Sequence, residues 1–267
     1  MSKYRAMSLA YFEVGAGARP LVLVHGFLGA GRNLTTLAKR LAERDASLRI
    51  VVPDLRGHGE SPALRESDDH YSLARDLLAL TQTLALPVPF EIMGHSLGGR
   101  VALALASLAP DALSAITLLD ISPSPTEGRF SDSTSIFEAI ASGPQQASSR
   151  EPFREHMRAS GVSERLVQWQ MLNLVLKDGL YRWRIDPIAL GRLQPSISKV
   201  DLWPALETAA AHGTRLHVIR GGRSPYVSDE DARRLAAAGC KVDTLPGVGH
   251  FVHVEGLEGL LNAYFAR

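Results

Sequence analysis

The chain has 267 residues, room for one large domain or two small ones at roughly 150 residues each, and a core of that size needs no disulfide or metal to hold it. Lysine and arginine number 29 against 28 aspartate and glutamate, a net charge of +1, which argues against a nucleic-acid or anionic-membrane partner. Hydrophobic residues at 45% and charged residues at 21% exclude a mainly disordered chain.

Short apolar runs alternate with longer amphipathic ones, the pattern of a mainly parallel sheet with helices on both faces. Leu21 to Val24 reads as a buried central strand ending at His25-Gly26. Asn33 to Glu43 has helical spacing, and Arg49 to Val52 is a strand stopped by Pro53-Asp54. Ser72 to Leu84 is predicted helical, Phe90 to Met93 a strand, Leu97 to Leu108 a helix rich in Ala and Leu, and Leu113 to Leu119 a strand. The alternation then stops. Between 126 and 204 the spacing predicts helices over Ile136–Ala141, Phe153–Ala159 and Ser163–Lys177, with a short extended piece at Tyr181–Ile185. An insertion of this length must have structure of its own. Most of Trp169, Met171, Tyr181, Trp183 and Trp203 are expected in its core, with some lining an apolar pocket. Leu216–Ile219 resumes the strands. Ser228 caps a helix that opens with Asp229, Glu230 and Asp231. Lys241–Leu245 is the last strand and Leu257–Phe265 a closing helix. The expected division is a core of residues 1–125 and 205–267 with a helical cap over 126–204.

Cys240 is the single cysteine, which leaves no intrachain disulfide and no Cys-based metal cage. No apolar h-region follows Met1-Ser2-Lys3-Tyr4-Arg5, and no apolar run approaches the roughly 20 residues of a membrane span. A reducing, cytoplasmic setting is expected, with no cofactor.

The stretch Phe90-Glu91-Ile92-Met93-Gly94-His95-Ser96-Leu97-Gly98-Gly99 is strand, then G-x-S-x-G, then helix. Its glycines permit a tight turn that presents Ser96 Oγ at the strand tip, next to backbone N–H groups at a helix N-terminus. A serine hydroxyl needs an adjacent base. In the chain order serine, acid, histidine the base follows the last strand, where Gly249-His250 stands. His253 is its neighbour and competitor, but an H-x-x-H pair without a third ligand type nearby does not make a metal site. Two backbone donors would form an oxyanion hole: the Leu97 N–H and the Phe27 N–H of the loop His25-Gly26-Phe27-Leu28-Gly29. The acid is less determined. Where an Asp is usual after the Leu216–Ile219 strand, Ser224 stands. Asp120, at the end of the Leu113–Leu119 strand, is the first candidate, since an Asp there is costly to bury unless paired. The Asp229–Asp231 group is the second, and a purely structural Asp120 stays open. The glycines of Asp54-Leu55-Arg56-Gly57-His58-Gly59-Glu60-Ser61 read as a structural loop.

Together these segments resemble the α/β-hydrolases over essentially the whole chain. Within that superfamily the chain resembles the YbfF-type bacterial esterases and their mitochondrial relatives, through Asp120-Ile121-Ser122-Pro123, Tyr181-Arg182-Trp183-Arg184, the run from Arg220 to Val227, and Gly249-His250-Phe251-Val252-His253. The resemblance implies a cap over the active site, the triad acid on the earlier strand, and activity on short-chain acyl esters and thioesters. The order Phe27-Leu28 and the Phe251 in place of a frequent Trp depart from the family pattern. The expected activity is that of a serine esterase acting on a small acyl ester, as a monomer or homodimer. Carbon–carbon hydrolysis, lyase or perhydrolase chemistry by the same triad, and a non-catalytic binding module on this scaffold, are the alternatives.

Overall fold

The computed structural model describes residues 9–129 and 132–266. In chain order the first part holds β1 (Tyr11–Val14), β2 (Arg19–Val24), α1 (Thr35–Arg44), β3 (Leu48–Pro53), α2 (His70–Thr83), β4 (Phe90–His95), α3 (Leu97–Leu108) and β5 (Leu113–Leu119). The insertion holds α4 (Asp132–Ser142), β6 (Gln146–Ala147), α5 (Glu151–Ala159), α6 (Glu164–Gln170), β7 (Leu174–Lys177), β8 (Leu180–Trp183) and α7 (Pro187–Ser198). The return holds α8 (Trp203–Ala211), β9 (Arg215–Gly221), α9 (Asp229–Ala237), β10 (Lys241–Leu245), α10 (Val252–Glu255) and α11 (Leu257–Phe265).

Seven strands form one sheet in the order β1-β3-β2-β4-β5-β9-β10. Only the edge strand β1 runs antiparallel, and the other pairings are parallel. Continuous apolar runs such as Leu21–Val24 are buried on both faces, as parallel strands covered by helices must be. One core layer joins Val22, Val24, Ile92 and Ile116 to α2 and α3, and the other joins Leu21, Leu23, Ile50 and Met93 to α1 and α11. Because the central strands are parallel, their carboxyl ends lie along one edge, where open α/β sheets place their ligands.

The insertion departs from expectation: β6 and α7 lie where no element is predicted, and the longest expected helix is broken. Ser163–Lys177 is not a single helix. It divides into α6, a 3-10 turn over Met171–Asn173, and β7. β7 turns back into β8 through Asp178 and Gly179, both with positive φ, which is the two-residue hairpin geometry that Asp-Gly favours. With β6 these strands make a second, three-stranded sheet. The two connections to the core run side by side: Leu202 N–H donates to Pro123 O at 2.9 Å and Thr126 N–H to Ser198 O at 2.8 Å. Arg100, buried on α3, clips both. It donates to Ser124 O at 2.9 Å, to Ser122 O at 3.4 Å and to Val200 O. Burial lowers its pKa to about 10, so the guanidinium keeps its charge at neutral pH. Among the described residues no helix is long and apolar enough to cross a membrane.

The crossing of β4 into α3 is the tightest place in the fold. A Cβ on Gly94 would lie 2.3 Å from the Gly98 backbone, and one on Gly98 would lie 2.5 Å from Val24 O and 2.7 Å from His25 O. Backbone cannot yield as a flexible side chain can. Gly98→Ala should therefore cost about 1–3 kcal/mol of stability, read as a lower urea midpoint; an unchanged midpoint would show that the β2 end yields freely.

Behind the carboxyl edge sits a layer of buried imidazoles: His25, His58, His95 and His253. Burial is the main cause that lowers their pKa values, to about 3 for His25 and His253, and it also lowers those of His58 and His95. All four are neutral near pH 7. The unfolded chain takes protons on these rings as the pH falls below 6.5, while folded His25 and His253 resist until about pH 3. Stability present above pH 6.5 is therefore lost progressively as the pH falls toward 3. Both ring nitrogens of His253 lack a hydrogen-bond partner among the described residues, so His253→Leu sacrifices no hydrogen bond. It should flatten the acid decline of the melting temperature by about one proton's worth of linkage. An equal slope in the variant would show that His253 charges in the folded state.

Candidate active site

Ser96 sits between β4 and α3 with φ 50° and ψ −114°, a strained conformation for a residue with a side chain. The surrounding structure enforces it. Ser96 N–H donates to Leu119 O at 3.1 Å, while Ser96 O accepts from Gly99 at 2.9 Å and Arg100 at 3.2 Å. The side chain is thereby lifted off the sheet at the N-terminus of α3, whose first N–H groups have no intrahelical acceptor. Ser96 is half-buried.

His250 lies on the loop between β10 and α10. Glu255 braces that loop by accepting from Gly249 N–H at 3.0 Å and Phe251 N–H at 3.3 Å, and Arg223 pairs with Glu255 at 3.0 Å. His95 Nε2–H donates to His250 O at 3.0 Å, which ties the residue before Ser96 to the backbone of His250. The His250 ring packs 4.2 Å from that of Tyr226. Its Nδ1 lies 2.7 Å from Asp120 Oδ2.

Asp120 is 0% exposed and has φ 52°. A carboxylate so buried must have its oxygens satisfied. Oδ1 accepts from Gly221 N–H at 2.7 Å, and Oδ2 accepts from His250 and from the Ser224 hydroxyl. The position where the sequence leaves an Asp vacant thus supplies a hydroxyl that donates to the Asp on the neighbouring strand. The competing acids are engaged elsewhere. Asp229 is exposed and pairs with Arg220 at 2.7 Å. Asp231 pairs with Arg129 at 2.8 Å and closes the capping box of α9 with Ser228.

Ser96 and His250 share the walls of a small cleft of about 10 Å³ with Gly26, Phe27, Leu28 and Trp169. No hydrogen bond joins Ser96 Oγ to the imidazole among the described residues; such bonds commonly tighten only when substrate is bound. The Phe27 and Leu97 N–H groups donate to no backbone acceptor among the described loop and turn hydrogen bonds. The cleft adjoins a crevice of about 420 Å³ whose walls come from the core (Ser96, Leu97, Arg100, Ile121) and from the insertion (Phe137, Ile197). Of the large side chains in and beside the insertion, Trp169 reaches the cleft, while Met171 and Trp203 are buried in the packing.

The loop from Asp54 to Ser61 supports this edge. Asp54 accepts from Gly31 N–H at 2.7 Å and Glu60 N–H at 2.8 Å. Arg56 forms a two-pronged pair with Asp76, both contacts at 2.7 Å. His58 Nε2 lies 2.7 Å from Phe27 O. Sequence reasoning assigned no part in the site to His58, Ser224 or Glu255. Ser224 carried one sequence signal: it stands in the acid's usual place.

Residues 19–140 match the family model described as the alpha/beta hydrolase fold. Esterase YbfF of Escherichia coli K12 is 32% identical over 91% of this chain and 91% of its own length. The sn-1-specific diacylglycerol lipase ABHD11 of Mus musculus is 29% identical over 97% of this chain and 84% of its own. Among solved structures, a marine microorganism esterase superposes with a TM-score of 0.83 over 97% of this chain and 99% of that one, at 22% identity. With the parallel sheet and the sharp turn before α3, these likenesses make the chain a member of the α/β-hydrolase family.

Proposed function

We propose that the protein is a serine esterase that hydrolyses short-chain carboxylic esters through an acyl-enzyme on Ser96, with His250 as base and Asp120 as its orienting acid. The relatives named as esterases and lipases support hydrolysis as the class of reaction. The observation that carries the finer reading is the 2.7 Å contact of His250 Nδ1 with a fully buried Asp120. That contact holds the proton on Nδ1 and leaves Nε2 as the basic nitrogen.

In the first half-reaction Ser96 Oγ attacks the acyl carbon as His250 Nε2 takes its proton. The carbonyl π electrons move onto oxygen, and the Phe27 and Leu97 N–H groups stabilise that oxyanion. Collapse breaks the bond to the alkoxy oxygen, which leaves as an alcohol with the proton from Nε2. In the second half a water loses its proton to Nε2 and attacks the acyl-enzyme, and Ser96 departs with that proton, releasing the carboxylic acid. Asp120 stabilises the imidazolium in each half without itself being protonated. The hydrogen bonds from Gly221 and Ser224 keep the carboxylate aimed at His250. The insertion acts as a cap. The crevice of about 420 Å³ has apolar walls at Phe27, Ile121, Phe137 and Ile197, suited to an acyl chain of modest length.

Ser96→Ala should abolish hydrolysis of 4-nitrophenyl butyrate with the melting temperature nearly unchanged; retained turnover would remove Ser96 as nucleophile. Asp120→Asn should lower kcat by about 10⁴-fold, whereas Asp229→Asn should leave it unaltered; the reverse order would move the acid to α9. Ser224→Ala should lower kcat less than Asp120→Asn, because Gly221 and His250 still hold the carboxylate, and an equal loss would make the hydroxyl indispensable to the pair.

A further inference from the structure

The loop that carries the Phe27 N–H is held from the cap as well as from the core. Leu28 O accepts from Asn173 Nδ2 at 3.0 Å and from Gln170 Nε2 at 3.4 Å. Both amides are 0% exposed, and they bond each other, Asn173 Nδ2 to Gln170 Oε1 at 2.9 Å. They sit at the end of α6 and in the 3-10 turn that follows it. Burying two primary amides is costly unless their hydrogen bonds are used; here the two N–H donors are spent on Leu28 O and Gln170 Oε1, while Asn173 Oδ1 meets no partner among the described residues.

Peptide planarity connects these amides to the donor. In a trans peptide the C=O and the following N–H point in opposite directions and turn together. Leu28 C=O and Gly29 N–H belong to one such plane. Gly29 N–H donates to Gly26 O at 3.1 Å, and Gly26 C=O shares its plane with Phe27 N–H. A rotation of the Leu28 carbonyl is therefore passed through Gly29 and Gly26 to the Phe27 N–H. The core holds the other points of the relay. His25 Nδ1–H donates to Gly26 O at 2.8 Å while its Nε2 accepts from Leu55 N–H at 2.9 Å, and His58 Nε2 meets Phe27 O at 2.7 Å. Among the described residues, of the three successive carbonyls at Gly26, Phe27 and Leu28, only the last is held by cap side chains.

Building on the esterase reading, we infer that Asn173, assisted by Gln170, is a positioning residue for the oxyanion hole. The cap then sets the aim of the Phe27 N–H as well as covering the site. An amide that merely satisfied a buried carbonyl would affect stability alone. One that aims an oxyanion donor affects the transition state more than the bound substrate.

The test compares wild type, Asn173→Leu, Gln170→Met and Arg158→Ala on 4-nitrophenyl butyrate. It also measures inhibition by a trifluoromethyl ketone, which forms an oxyanion on Ser96, and by the matching methyl ketone, which binds unreacted. Asn173→Leu should lower kcat by about 10- to 100-fold, with KM within about threefold. Trifluoromethyl ketone affinity should fall by a similar factor while methyl ketone affinity holds. Gln170→Met, which removes the longer bond, should show the same split at smaller size, and it carries the test if Asn173→Leu fails to fold. Arg158→Ala, which breaks only exposed ion pairs of the cap, should match wild type. Unchanged kcat in both amide variants, or equal losses for the two ketones, would overturn the inference while Ser96-dependent turnover of wild type left the esterase reading standing. A wild-type protein without turnover would overturn both.

Discussion

A carboxylate with no exposed surface cannot stand in the centre of an α/β sheet unless each oxygen is met by a donor. Asp120 meets that condition through donors from three places in the chain: the Gly221 N–H at the end of β9, the Ser224 hydroxyl just beyond it, and the His250 ring after β10. The carboxylate therefore draws together the ends of β5 and β9 and the loop after β10. Ser96, at the end of the adjacent strand β4, is pinned to β5 through Leu119 O. The geometry of the edge follows from one buried charge and the strand order around it.

The rest of the cleft is organised by neutral groups. Buried His25, His95 and His58 each place a ring nitrogen against a backbone carbonyl, at Gly26, His250 and Phe27. Their lowered pKa values have burial as the first cause, so near neutrality they act as shaped donors and acceptors without net charge. Such groups hold backbone rigidly without adding charge to the edge of the cleft. Preorganised dipoles of this kind stabilise developing charge without reorganising during the reaction.

Local segments with strong patterns were legible from the sequence. The elbow could be read because its strand, its glycines and its helix are contiguous, and steric necessity at Gly94 and Gly98 leaves few alternatives. Asp120 could be nominated from its place at the end of an apolar strand, but its partners Gly221 and Ser224 lie about a hundred residues away in the chain, and no local pattern announces such a meeting. Ser163–Lys177 misled because Leu166, Trp169, Leu172 and Leu176 fit a helical face. The Asp178-Gly179 pair directly after Leu174–Lys177 was the competing hairpin signal. The amides Gln170 and Asn173 are invisible in sequence, since ordinary polar residues gain meaning only when the fold buries them on a backbone carbonyl.

Every step of the proposed mechanism depends on Ser96 being the nucleophile. A fluorophosphonate that phosphonylates activated serines, followed by peptide mass mapping of the intact folded protein, tests this directly. A single adduct is expected, on the peptide containing Ser96, lost when the protein is unfolded before exposure. Labelling elsewhere, or no labelling of a folded protein, would contradict it.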